Sequence, residues 1–204
     1  MNPVRDIEED PDNPIVLYLA TDYGLFVSIN KGKTWVEMSE SAPDVLIMDL
    51  DIQKRERDLA IGTYGRGIYI ADIYPFKEME PGLFEKDSFL FDIQPTVKWN
   101  MLERRGPTYE QFAKVNNPPV SANIYYYLKE EVKSSKIMIK DLEGNVLQEI
   151  KGSKKAGLHK TSWNLRKKED PQEDGRRRRG RGALVECGSY KVTFTVDEKE
   201  IFTR

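Results

Sequence analysis

Asp6, Asp22, Asp49, Asp51 and Asp72 lie on or beside short apolar runs, and they are the residues of this chain best placed for acid–base chemistry. Two carboxylates about 5–9.5 Å apart across a cleft act as proton donor and nucleophile or base in glycoside hydrolysis. The commoner use of an aspartate beside a turn is to accept backbone N–H groups. Asp22, in Thr21-Asp22-Tyr23-Gly24, has the best-defined position of the set. The loop Tyr64-Gly65-Arg66-Gly67 offers a different chemistry. Its glycines allow a tight or bulged hairpin, and Arg66 can present a guanidinium to a carboxylate or a sugar. Arg66, Tyr64 and Asp22 are therefore the candidate ligand contacts, and no catalytic residue is assigned.

Other reactive or charged groups have plainer readings. Alternation puts Tyr126 on the opposite face from Tyr125 and Tyr127, so the three rings form no continuous stacking platform. Arg176-Arg177-Arg178-Arg179-Gly180-Arg181 resembles a nucleic-acid-binding run. It lacks interleaved aromatics and follows Glu169, Asp170, Glu173 and Asp174, which reads as a solvated loop. Nucleic acid is thus not the expected partner. His159 enters a strand with no Ser or Cys partner nearby and is expected to be exposed, and nothing beside Cys187 suggests an activated thiolate.

The 204 residues carry a formal charge of −2, with 39% apolar and 32% charged residues. This composition gives no bulk attraction to nucleic acid or anionic membrane. One cysteine and one histidine exclude a disulfide framework and a Cys- or His-based metal centre. A carboxylate-only calcium site stays open to this composition, but no metal or cofactor is assigned. Met1-Asn2-Pro3 leads into a charged stretch with no apolar h-region, so no signal peptide is read. No run reaches the length of a membrane-spanning helix.

The elements that would carry these residues are short strands. Val4–Asp10, Ile15–Ala20, Leu25–Ser28 and Thr34–Met38 form one group, and Val45–Ile52, Asp58–Gly62 and Ile68–Ile73 form a second, three-stranded group in the same order. Turn residues separate them at roughly 40 residues per group, the spacing of propeller blades. Between the third and fourth strands, Ser28-Ile29-Asn30-Lys31-Gly32-Lys33-Thr34-Trp35 is a turn motif. Gly32 supplies a positive φ, Ser28, Asn30 and Thr34 bond to the turn, and Trp35 packs beneath it. Residues 74–119 are rich in proline yet carry Phe84, Phe91, Trp99 and Phe112, as a linker packed on the preceding blade would. From Val120 the strand signal returns, with a hairpin at Leu142-Glu143-Gly144-Asn145, a stretch Gly157–Arg166 that alternates around Leu158, Trp163 and Leu165, and a half-buried strand through Tyr190, Val192, Phe194 and Val196. The expected fold is all-β: about two terminal propeller blades (1–73), a packed linker (74–119) and an immunoglobulin-like sandwich (120–204). Two blades cannot close a propeller, so the remaining blades must come from a longer chain or a partner.

The box at Ser28–Trp35 fits S-x-D-x-G-x-T-W, with Asn30 where Asp is usual. Together with Asp58–Ile70, Asn117-Pro118-Pro119, Ser162-Trp163-Asn164-Leu165-Arg166 and Gly188-Ser189-Tyr190, it resembles the C-terminal end of BNR-repeat (Asp-box) proteins with a sortilin-like, VPS10-type propeller, often labelled glycosyl hydrolase-like. Such proteins often carry His where this chain has Tyr64. The resemblance implies closing blades followed by an Ig-like domain, a secreted or periplasmic setting, and a protein or carbohydrate ligand. It carries no mechanism. Sialidases use an arginine cluster, a tyrosine–carboxylate pair and an acid from several blades, and propeller xyloglucanases use two carboxylates across the cleft. Neither set can be assembled from two partial blades. The leading reading is a non-catalytic binding segment; the alternative is part of a glycoside hydrolase whose catalytic residues lie mostly in other blades.

Overall fold

A computed structural model of the chain describes residues 3–38, 44–98, 120–168 and 182–203. Those residues form an all-β protein of four antiparallel sheets, divided between two compact units, Met1–Lys86 and Asp87–Arg204. Among them no helix is long and apolar enough to cross a membrane.

In the first unit, β1 (Val4–Glu9), β2 (Leu17–Thr21), β3 (Gly24–Ser28) and β4 (Val36–Glu37) pair in sequence order. The second sheet is β5 (Ile47–Gln53), β6 (Asp58–Thr63) and β7 (Ile68–Asp72), again in order and one strand short. The repeat read from turn spacing is reproduced in backbone detail. A register shift lies between Val4 and Asp6, and another between Ile47 and Asp49. Thr21 Oγ1 donates to Gly24 O at 2.9 Å, and Thr63 Oγ1 donates to Gly67 O at 2.6 Å. Asp6 thus corresponds to Asp49, Ile7 to Leu50, Leu25 to Ile68 and Val27 to Ile70.

The two sheets stack through one face each. Tyr18, Ala20, Leu25 and Val27 of the first sheet are buried, as are Leu50, Leu59 and Ile61 of the second, and β1 and β2 pack against β5. Asp6 carries the stack across its edge, its Oδ2 accepting Leu50 N–H at 2.8 Å. The corresponding outward face of the second sheet is bare, with Ile68 74% and Ile70 61% exposed.

A buried polar node locks this unit. Arg57 Nη2 lies 2.6 Å from Asp10 Oδ2, and both side chains are almost wholly buried. Tyr18 donates its hydroxyl to the same oxygen at 3.0 Å, while Asp12 N–H and Asn13 N–H donate to Asp10 Oδ1. Burial holds the Tyr18 hydroxyl far above its ordinary pKa, with the Asp10 charge and hydrogen bond adding to it, so it remains a donor. Asn13 Nδ2 then donates to Phe76 O at 3.0 Å and Met79 O at 2.8 Å, which pins the 3-10 turn Tyr74–Glu78 onto the strands.

The second unit contains β8 (Ser88–Leu90), β9 (Ala122–Leu128), β10 (Ser135–Lys140), β11 (Val146–Lys151), β12 (Gly157–Trp163), β13 (Lys191–Val196) and β14 (Lys199–Thr203). The sheet β12-β9-β8 and the sheet β11-β10-β13-β14 share one core. Ile124, Tyr126 and Leu128 come from one sheet and Ile137, Ile139 and Phe194 from the other. Strand alternation decides the tyrosine run: Tyr126 joins this core, and Tyr125 is buried on the other face, where Lys160 Nζ stands 5.1 Å from its ring.

Several expectations meet a different arrangement. On β12, Leu158 faces outward and is 41% exposed, because His159 and Trp163 share the parity that faces Ala122 and Tyr126. His159 is therefore half-buried rather than exposed, its ring 5.3 Å from that of Tyr126 and its Nε2 2.6 Å from Lys155 O. The stretch 74–119, read as one linker, is divided. Tyr74–Lys86 folds with the first unit, and Ser88–Leu90 is a strand of the second, paired to β9. Residues 99–119 lie outside the described residues, as do Arg176–Arg181. The chain on either side of that arginine run is drawn together, with Lys167 N–H bonded to Ala183 O and Val185 N–H to Leu165 O, each at 2.9 Å.

Candidate functional site

The loop Thr63–Gly67 is a short, firmly held turn at the end of β6. Thr63 N–H and Oγ1 both donate to Gly67 O, and Tyr64 N–H donates to Leu46 O at 2.9 Å. Gly65 and Gly67 adopt φ of 77° and 79°, a region open to glycine and costly for other residues. This frame projects two side chains outward. Tyr64 is 74% exposed, and Arg66, also exposed, has no hydrogen bond or ion pair among the described residues. An aromatic ring and an unpaired guanidinium thus sit two residues apart on a rigid base, suited to a planar carboxylate or a sugar face.

Asp22 occupies the equivalent turn of the first sheet: its N–H donates to Pro3 O as Tyr64 N–H does to Leu46 O. Its carboxylate is already held by Arg5, Nε to Oδ1 at 2.5 Å and Nη2 to Oδ2 at 3.2 Å. Asp22 is a turn residue neutralised by its neighbour, unlike Arg66. Asp6 accepts Ile7 N–H and Leu50 N–H, and Asp72 accepts Tyr74 N–H at 3.1 Å. Asp49 and Asp51 are exposed on β5. Burial first, and then the charges of Asp6, Asp51 and Asp49, raise the pKa of Glu8 on β1. No three His, Cys, Asp or Glu side chains among the described residues converge as metal ligands.

The Ser28–Trp35 box is closed upon itself. Ser28 Oγ accepts Gly32 N–H at 2.8 Å and donates to Asn30 Oδ1 at 3.0 Å; Asn30 Oδ1 also accepts Thr34 N–H at 2.9 Å. Asn30 Nδ2 donates to Thr34 Oγ1 at 2.7 Å. Gly32 has φ 79°, and a Cβ there would lie 3.5 Å from the Trp35 ring and 3.6 Å from Leu17. The space is adequate, so the cost of a side chain is conformational. Gly32→Ala is expected to lower stability by about 1–2 kcal/mol in urea unfolding. Asn30→Asp should stay within about 0.5 kcal/mol of wild type, because the Thr34 hydroxyl can turn and donate.

Sequence reasoning missed a cleft of about 400 Å³ in the second unit. Ile124, Trp163, Leu165, Val185 and Tyr190 make its apolar lining, and Asp92, Lys98 and Glu186 are polar groups along it. The Trp163 and Tyr190 rings meet edge to face at 5.4 Å. Both polar tips are committed to backbone, the indole N–H to Arg166 O at 2.9 Å and the phenol to Glu186 O at 2.5 Å. The aromatic lining therefore offers shape and apolar contact rather than free polar groups. The signal lay in Trp163 and Leu165, which the sequence pattern marks only as part of an alternating β stretch.

Neither a protein-family model nor a curated protein matches the sequence. Among solved structures, the chain is similar to PorZ of Porphyromonas gingivalis, described as an essential bacterial surface component of the type-IX secretion system. The identity is 18% and the TM-score 0.32, with 99% of this chain and 22% of that chain covered. The chain thus spans about a fifth of that protein's length. A TM-score of this size does not equate the two folds.

Proposed function

We propose that the chain is a non-catalytic binding segment of a larger β-propeller protein of the BNR-repeat, sortilin-like type. It presents a carboxylate-recognising loop at Tyr64 and Arg66 to a glycan or a peptide. The observation that carries this reading is the contrast between two equivalent turns. Asp22 is neutralised by Arg5, whereas Arg66 stands unpaired on a rigid base. Loops held by a rigid scaffold are where binding residues concentrate.

The surrounding architecture agrees with the reading. Two stacked sheets in strand order, related by a repeated bulge and a repeated threonine turn, have the form of successive blades, with further blades supplied by a longer chain. In the second unit, the orders β12-β9-β8 and β11-β10-β13-β14 support the reading of an immunoglobulin-like sandwich. The Tyr190 hydroxyl bonded back to Glu186 O just before β13 has the form of that fold's tyrosine corner. The test is retention on arrayed glycans and peptides, with and without carboxylates, compared between wild type and Arg66→Ala. Wild type is expected to favour the carboxylate-bearing probes, and the variant to lose that preference.

A further inference from the structure

The cleft of the second unit has one wall that the chain maintains against backbone preference. Leu165 adopts φ 56°, a left-handed conformation that a bulky residue rarely takes. A set of hydrogen bonds holds the turn around it. Its carbonyl accepts Val185 N–H at 2.9 Å, and the next carbonyl, that of Arg166, accepts the Trp163 indole N–H at 2.9 Å. Arg166 N–H donates to Asn164 Oδ1 at 3.3 Å, and Arg166 Nη1 donates to Gly182 O at 2.8 Å. Leu165 thereby joins Trp163, Ile124 and Tyr190 in the apolar lining. A glycine would make the same turn without strain, but would leave no wall. Residues held in such sparsely populated conformations cluster where ligands are clamped.

The charged groups of the cleft add a second observation. Glu186 and Lys98 both line it and are exposed, and neither side chain has a hydrogen bond or ion pair among the described residues. Asp92, the third charged group along the cleft, is already engaged. Apolar walls with one free carboxylate and one free ammonium suit an apolar body that carries both charges. The volume of about 400 Å³ is that of a small-ligand site.

We infer that the cleft binds a small apolar zwitterion: a free amino acid with a large apolar side chain, or a dipeptide of such residues. The side chain lies against Trp163, Tyr190 and Leu165, the ligand's ammonium meets Glu186, and its carboxylate meets Lys98. Apolar contact supplies affinity, and the two charge-assisted contacts fix the orientation. Nothing in this inference depends on the Arg66 loop, which belongs to the other unit, so the two readings can fail separately.

The Trp163 indole N–H resonance of the full chain, assigned by its loss in Trp163→Phe, reads binding directly. Titrations run to about 10 mM, which populates a millimolar site. Leucine or leucylleucine is expected to shift the signal, and the tighter of the two identifies the source. Isoamylamine lacks the carboxylate of leucine, 4-methylpentanoate lacks its ammonium, and glycine lacks its side chain. Each should bind at least about tenfold more weakly than the better zwitterion. Glu186→Gln and Lys98→Met, both at exposed positions, should each weaken the zwitterion by about tenfold. Glu186→Gln should leave 4-methylpentanoate unaffected, and Lys98→Met should leave isoamylamine unaffected, a pattern that general loss of structure would not give. Leu165→Gly relieves the backbone and removes the wall, so it should weaken binding while the strands stay folded. Absence of a shift with both zwitterions overturns the proposal. So does equal binding of leucine, isoamylamine and 4-methylpentanoate, or zwitterion affinity that neither charge variant moves. Arg66→Ala should show the wild-type shifts, and their loss there would also overturn it.

Discussion

Replacing Arg57 with leucine is expected to destabilise the Met1–Lys86 unit by about 3–5 kcal/mol. The substitution leaves Asp10 fully buried, with Tyr18 and two backbone N–H groups as donors but no cation. Removing one partner of a buried pair costs more than the pair contributes, because the stranded charge stays in a low dielectric. Arg57 is also where the two sheets are tied, since Ile73 N–H donates to its carbonyl at 2.8 Å and its guanidinium crosses to Asp10. The double change Asp10→Leu with Arg57→Leu removes both charges and should cost less than Arg57→Leu alone. Amide exchange in β2 and β6, compared across the three proteins, reads the effect. A loss below about 1 kcal/mol in the single variant would show that water reaches the node and screens it.

Phe194→Ala should cost about 3–5 kcal/mol in the second unit. Phe194 is fully buried, its ring 4.9 Å from that of Tyr126 in the facing sheet, and it is paired with Ile137 across the β10–β13 ladder. Truncation opens a cavity between the two sheets, and the hydrogen-bonded strands on either side limit how far it can collapse. Exchange of β9, β10 and β13 amides should accelerate together, and β2 and β6 should be unchanged. Acceleration confined to β13 would mean that the two sheets do not share one cooperative core.

The strands were legible because their physics is local. In the first unit, alternation and glycine-rich turns place seven strands within a few residues of where they stand, and they show that the second group lacks a fourth. The box was legible for the same reason, since Ser28, Asn30, Gly32 and Thr34 bond only to one another and to adjoining backbone. What escaped depends on distant partners. Asp22 read as a candidate contact because Arg5, which neutralises it, lies on the neighbouring strand β1. The Asp10–Arg57 bond joins turn residues that flank different sheets, and neither position stands out in the sequence. Phe89-Leu90-Phe91 lies in a proline-punctuated stretch that hid a strand, because its partner β9 follows only after the 99–119 segment. Leu158 shows the limit of apolar patterning: the alternation around it was real, but its parity belonged to the outer face.

The account stands most directly on Arg66, and one measurement addresses it: retention of uronic- or sialic-acid glycans and acidic peptides by wild type and Arg66→Ala, with product analysis of the same samples. The account predicts that wild type retains the carboxylate-bearing probes unchanged and that Arg66→Ala reduces retention by about tenfold, the loss of one charge-assisted bidentate contact. Equal retention by the two proteins, or cleaved glycan in the wild-type samples, would contradict it.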